Sequence, residues 1–275
     1  MHISTDDFND LTSFIYKKSG IKFEAKKRYF ITKRLAKRLD EINALSVREY
    51  LRYLKFKDDG SEFQELMNLL TVNETYFFRE FNTLEAFAEY GLQEVAESKL
   101  ASGDNTIRIW SAGCSTGEEP YTLAIITREL LDNPDKWNIE IVATDIDEVV
   151  LDKALKANYD NRSVKDVPEE YYKKYFNHIN GCHVPVKKIR DMVTFEHLNL
   201  MDRISMRKKR NFDFVFCRNV LIYFDDISRK QVVDHFYIAL NKGGYIFLGH
   251  SESVGRVTTA FNMKRLGSNV VYFKG

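Results

Sequence analysis

The chain has 275 residues, 44% hydrophobic and 29% charged, which supplies a packed core and excludes a disordered chain. Lys and Arg number 41 against 40 Asp and Glu, so net charge selects no class of partner. The first residues carry no basic segment followed by an apolar stretch, and no apolar run nears the roughly 20 residues of a membrane helix. Cys114, Cys182 and Cys217 have neither metal-ligand spacing nor an even disulfide count, so a reducing, cytoplasmic location is expected.

The first eighty residues read as all-helical. Phe8, Leu11, Phe14 and Ile15 follow helical spacing after a cap at Ser4 or Thr5. Ser46-Val-Arg-Glu49 and Ser61-Glu-Phe-Gln64 have the form of capping boxes, with Lys57-Asp-Asp-Gly60 as a turn between helices. From Lys26 to Arg38 the sequence is strongly basic. On a helix Lys26, Lys33, Arg34 and Lys37 share one face, opposite Ile31, Leu35 and Leu39. A solvated face is the ordinary reading, and a nucleic-acid surface is disfavoured because few aromatic residues interleave the charges.

From about residue 105 short apolar strands alternate with helices. Ile107–Trp110, Ile139–Ala143, Phe212–Cys217 and Tyr245–Leu248 read as strands, with helices at Tyr121–Leu131 and about Ser228–Leu240 and a last strand at Asn269–Phe273, parallel or antiparallel. The pattern predicts an α/β fold, a largely parallel sheet covered by helices on both faces. Between Phe176 and Asn199, short β-like pieces at His183–Val186 and Met192–Phe195 surround a basic turn; they read as a small β-excursion, with an irregular surface connection as the equal alternative. The expected division is an all-α domain over 1–80, a linker helix over 81–104, and a sheet domain over 105–275 with its β-subdomain at about 177–199.

The strongest local signal is Trp110-Ser-Ala-Gly-Cys-Ser-Thr-Gly-Glu-Glu119, a strand running through small residues into a helix. Ligands of doubly wound sheets sit at such carboxyl ends. Asp145, at the end of the next strand, can accept hydrogen bonds from two ribose hydroxyls, while Asp147 can cap the following helix. No Gly-Lys-Ser/Thr follows the loop to hold a triphosphate. Glu118 and Glu119 at the helix start disfavour a pyrophosphate, although acids there also suit the helix dipole. A cationic sulfonium nucleoside avoids that repulsion.

Four ordered segments then identify a relationship: Thr71-Val-Asn-Glu-Thr-Tyr-Phe-Phe-Arg79, Trp110 to Tyr121, Ala143-Thr-Asp-Ile-Asp147 and Phe216-Cys-Arg-Asn-Val-Leu-Ile-Tyr-Phe224. Together with Gly243 to Ser253 they resemble the CheR-type chemoreceptor glutamate methyltransferases over nearly the whole chain. The resemblance implies a Rossmann-like S-adenosylmethionine-dependent methyltransferase domain behind an all-α amino-terminal domain, without a metal. It implies that Asn73, Thr75 and Arg79 reach the cofactor from the interdomain segment, and that Ala112, Asn199, Leu200, Arg218 and Asn219 line its site. Glu118 or Glu119 would face its cationic end and Asp145 its ribose, with Arg79 and Tyr223 nearest the transferring methyl. The expected substrate is the acidic methylation helices of chemotaxis receptors, met by Lys26, Lys33, Arg34 and Lys37. The chain is expected to act as a monomer, with no nucleic acid and no membrane insertion.

In some family members the β-excursion grips a tethering peptide at the receptor terminus; here it looks short, so weak or absent tether binding is expected. An amino-group methyltransferase is disfavoured because Arg218-Asn219-Val220-Leu221 stands where many such enzymes carry Asn-Pro-Pro-Tyr. A non-catalytic signalling adaptor is the other alternative, opposed by the intact Asn73, Arg79, Asp145 and Tyr223.

Overall fold

The computed structural model describes residues 3–267 and 269–275. Four helices form the amino-terminal unit: α1 (Thr5–Ser19), α2 (Arg28–Glu41), α3 (Val47–Phe56) and α4 (Ser61–Leu70). Their apolar stripes, among them Leu11, Ile15, Leu35, Tyr50 and Leu66, close into one core, as the 3.6-residue spacing requires. Ser4 and Ser46 cap α1 and α3 through the amides of Asp7 and Glu49, at 3.0 and 3.2 Å. The box expected at Ser61 does not form. Asp58 instead takes the amides of Gly60, Glu62 and Phe63, each at 3.0 Å; a carboxylate with two oxygens satisfies several free donors at once, which one serine hydroxyl cannot.

The segment after Arg79 packs on the sheet. Helix α5 (Phe81–Ala86) passes through a π-turn, Phe87–Gly91, into α6 (Leu92–Ala101). Phe87 sits edge-on to Phe214, Phe216 and Phe247 with ring centroids 5.0, 5.2 and 5.8 Å away.

The alternation beyond it runs β1 (Thr106–Ala112), α7 (Glu118–Leu130), β2 (Asn138–Asp145), α8 (Glu148–Lys156), α9 (Glu169–Tyr175), β3 (Phe176–Ile179), β4 (Cys182–Pro185), α10 (Lys187–Arg190), β5 (Val193–His197), α11 (Arg203–Lys208), β6 (Phe212–Cys217), α12 (Asp226–Ala239), β7 (Leu240–Leu248), β8 (Asn262–Leu266) and β9 (Asn269–Phe273). Seven strands form one sheet in the order β5-β2-β1-β6-β7-β9-β8. The first five are parallel, while β9 runs antiparallel to β7 and to β8. Alternate side chains enter separate cores on the two faces: Ile107, Ile109, Phe214 and Phe216 on one, Trp110, Val215 and Cys217 on the other.

Two expectations change. Only β3 and β4 form the excursion, a two-stranded hairpin, and its basic turn is α10. The piece at Met192–Phe195 contributes instead to β5, an edge strand of the main sheet parallel to β2. The final strand pairs with β8, which sequence pattern missed because an edge strand with Asn262, Met263 and Arg265 exposed has no apolar run. Strand order reverses between β1 and β6, and the loops after both strands open there. That is the topological switch point where a ligand cleft is expected.

Candidate active site

A cleft of about 610 Å³ opens at this switch point, walled by the loops after β1, β2 and β6, the interdomain segment 71–79 and residues 19–30 of the helical unit. Its size falls within the range of small-molecule sites. The chain is held shut around it by specific bonds. Lys22 donates its amide to the Tyr223 carbonyl at 2.9 Å, Tyr16 its hydroxyl to Asp225 at 2.9 Å, and Asn199 its side-chain amide to the Lys18 carbonyl at 2.8 Å. Gly20, at φ +71, is pressed onto Met201 and Phe224, where a Cβ would lie 2.7–2.9 Å from their side chains.

The glycine loop is built for packing as much as for a ligand. Gly113 has φ +81 and a Cβ there would meet Val220 at 2.3 Å; one at Gly117, φ +94, would meet Ala154 and the Tyr159 hydroxyl at 2.9 Å. The turn thus lets β1's loop and β6's loop touch, while Gly113, Cys114 and Ser115 line the cleft.

Asp145 closes β2 and is buried. Its Oδ2 accepts the Ser115 amide at 2.8 Å and its Oδ1 the Asp147 amide at 3.0 Å. Asp145 lines the cleft, where a carboxylate can accept hydrogen bonds from hydroxyl groups. Burial pushes its acid dissociation up to about 6, against the lowering effect of the Asp147, Ser115 and Ile146 amides. Asp147 caps α8 through the amides of Val149 and Val150, at 2.9 and 3.2 Å. Its second oxygen accepts from Thr71 at 2.6 Å and from Asn73 at 2.8 Å.

The two glutamates divide. Glu119 lines the cleft, accepting from Ser111 at 2.7 Å and from Arg218 at 3.1 Å. Glu118 points away from it, buried against Thr116 at 2.6 Å and Ser163 at 3.2 Å, and burial raises its carboxyl above the usual range. Consecutive helix residues are turned apart by about 100°, so one faces the ligand and the other the adjoining loop.

Asn73, Thr75, Arg79, Asn199, Leu200, Arg218, Asn219 and Tyr223 line the same cleft. Ala112 does not: it is fully buried in the core on one face of the sheet, and the wall begins one residue later, because strand alternation turns its side chain inward. Asn73 and Asn199 are engaged by Asp147 and Lys18, so they fasten the joint around the cleft. Arg79 donates to the Glu74 carbonyl at 2.6 Å. The Tyr223 phenol is half-buried, which raises it further above its usual 10, with nearby Arg79 pulling the other way. It therefore remains a donor at neutral pH.

The basic residues expected on α2 separate likewise. Lys26 lines the cleft from the 3₁₀ turn Ala25–Lys27 and pairs with Glu24 at 2.6 Å. Arg34 turns inward, bonding the carbonyls of Leu69 and Thr71 and lying 4.1 Å over the Phe30 ring. It closes the end of α4, which helix-face counting could not foresee. Lys33 is exposed, and Lys37 pairs with Glu41 at 3.6 Å. Sequence reading missed Lys22, Lys27 and Arg229, which line the cleft. Lys27 was visible as part of the basic run, whereas nothing local marked Lys22 or Arg229.

The donor set suits S-adenosylmethionine. Asp145 and Glu119 both bring a carboxylate to the same cleft, that of Glu119 paired with Arg218 at 3.1 Å. Arg218 is almost wholly buried there, with its Nε lacking any hydrogen-bond partner. No group of three or more His, Cys, Asp or Glu among the described residues has metal-binding geometry.

Comparison with known proteins agrees. The family described as "CheR methyltransferase, SAM binding domain" matches residues 73–270, and "CheR methyltransferase, all-alpha domain" matches residues 6–71. Chemotaxis protein methyltransferase 2 of Vibrio cholerae is 42% identical over 99% of this chain and 94% of its own length. Chemotaxis protein methyltransferase of Escherichia coli (strain K12) is 32% identical over 95% and 89%, and chemotaxis protein methyltransferase 1 of Pseudomonas aeruginosa 31% over 99% of each. A Rossmann-like sheet with an all-α unit closed over its switch point, and relatives aligned end to end, place this chain in the CheR methyltransferase family.

Proposed function

We propose that this chain transfers a methyl group from S-adenosylmethionine to glutamate side chains of chemotaxis receptors, forming methyl esters. The observation that carries this reading is the convergence of Arg79 and Tyr223 on one cleft with Asp145 and Glu119. A pair able to orient a carboxylate and a pair able to hold a nucleoside line one cleft.

When bound, the cofactor supplies a methyl group made electrophilic by its sulfonium. The chain's own work is to bring a carboxylate to it in line. A glutamate side chain, with ordinary pKa near 4.3, is already ionised, so no general base is required. Arg79 can present two parallel N–H groups to such a carboxylate and Tyr223 one hydroxyl. These bonds orient the nucleophile, and orientation of this kind is worth roughly 7–11 kcal/mol in favourable cases. Lys22, Lys26 and Lys27 on the helical wall favour an acidic substrate and speed its encounter. A cytoplasmic, monomeric enzyme suits this substrate; no helix among the described residues is long and apolar enough to cross a membrane.

The test is incubation with methyl-labelled cofactor and receptor followed by alkali. Release of labelled methanol supports the ester; label that stays on the protein after alkali indicates amine methylation, and no label at all an adaptor. Both of the latter outcomes contradict the proposal.

A further inference from the structure

The segment Gly249-His-Ser-Glu252, just after β7, contains a carboxylate that does not line the cleft yet holds the loop that does. Glu252 Oε2 accepts the amides of Asn219 and Gly249, both at 2.8 Å, and its Oε1 accepts the amide of Ile222 at 3.1 Å. Ile222 immediately precedes Tyr223, and Asn219 begins the same loop in the left-handed region, at φ +61. A side chain other than glycine's at 249 would put its Cβ 2.8 Å from Glu252 Oε2 and 2.9 Å from the Asn219 nitrogen, so the close approach is built into the sequence.

The carbonyls of the loop are held from the opposite side. Arg229 donates to Leu221 and Phe224 at 3.3 and 3.1 Å, and the Lys22 amide donates to Tyr223 at 2.9 Å. A second carboxylate extends the clamp to Arg79: Glu80 accepts from the Asn219 side chain at 3.1 Å and from the His250 amide at 3.2 Å. The interdomain segment, the loop after β6 and the loop after β7 are therefore fastened to one another through two acidic side chains.

We propose that Glu252 is a positioning residue for methyl transfer, fixing the Tyr223 loop by accepting three backbone amides. A carboxylate is required because it is acceptor-only on both oxygens. Glutamine would turn an N–H₂ group towards at least one amide donor and release that end of the loop. The proposal rests on the reading of Tyr223 given above.

The test is a double-mutant cycle on kcat with receptor as substrate, accompanied by thermal melting and calorimetric titration with S-adenosylhomocysteine. A displaced phenol predicts that Glu252→Gln lowers kcat by ~10- to 100-fold in the otherwise native enzyme. In a Tyr223→Phe background the same change has little further effect, because there is no hydroxyl left to misplace. A merely structural residue would lower kcat by the same factor in both backgrounds. That result, with Tyr223→Phe itself impaired, overturns the positioning role alone, whereas an unimpaired Tyr223→Phe overturns the reading beneath it as well. If Glu252→Gln does not fold, Glu252→Asp, which keeps the carboxylate but draws it back by one methylene from the amides it accepts, is carried through the same cycle, and the same two results decide.

Discussion

Asp145 shows how one side chain links ionisation to ligand affinity. The gap between 3.8 and about 6 corresponds to about 3 kcal/mol against ionising it in the folded, ligand-free chain. For stability the sign is that of a raised carboxylate: its favourable contribution is complete below pH 3.8 and is lost as pH rises through 6. For the cofactor the sign reverses, because two ribose hydroxyls need the ionised form. Affinity for S-adenosylhomocysteine is expected to be constant above pH 7 and to fall towards about tenfold per unit below pH 6. Calorimetry from pH 5 to 8 checks this, and Asp145→Asn should bind weakly with that pH dependence gone. At the same scale, Tyr223→Phe and Arg79→Lys should each lower kcat by ~10- to 100-fold, Tyr223→Phe while leaving the affinity for S-adenosylhomocysteine nearly unchanged. Loss of cofactor binding in Tyr223→Phe would move that residue from the substrate to the cofactor. Such side chains were readable from sequence where they end a strand, as Asp145 does. The choice between Glu118 and Glu119 was not readable, since both follow one glycine and only their partners, Ser111 and Arg218 for Glu119 and Thr116 and Ser163 for Glu118, tell them apart.

At the scale of elements, caps and core stripes were legible because they depend on neighbours in sequence. Ser4, Ser46 and Asp147 act as local chemistry dictates, whereas the cap of α4 moved to Asp58 because a turn brought a stronger acceptor within reach. Asp147 also joins α8 to the interdomain segment through Thr71 and Asn73. Asp147→Ala should therefore cost about 1–3 kcal/mol, more than a lost cap alone. Urea unfolding measures that cost, and a loss under 0.5 kcal/mol, roughly the size of a neutral surface change, would show the joint to be inert. Phe87→Ala, at the π-turn against three phenylalanines, should cost about 3–5 kcal/mol in the same measurement. Sequence did not place β5 in the main sheet, because pairing beside β2 is a long-range contact and its own pattern is too short to distinguish from a hairpin strand.

The whole molecule is two units closed on one cleft, and the charges that matter are those the closure gathers. Lys22 and Lys27 reach the cleft, Lys33 and Lys37 lie on the outer face of α2, and Arg34 belongs to neither. Charge reversal of Lys33 and Lys37 should raise the KM for receptor by roughly tenfold at low salt, with the difference shrinking as salt increases. Cofactor affinity should not change. Including Arg34 would confound the measurement by releasing the end of α4. A receptor KM indifferent to these reversals at every salt concentration would remove α2 from substrate recognition. The sequence alone determined the alternation of strands and helices, the helical amino-terminal unit, and the acid at the end of β2, because each follows from local periodicity or from residue chemistry at an element's end. Only the tertiary structure decided which glutamate faces the cleft, that Asn73 and Asn199 are fasteners, that Arg34 turns inward, and that Glu80 and Glu252 clamp the Tyr223 loop. Those outcomes depend on atoms brought together from distant parts of the chain, and no local pattern of residues records such a meeting.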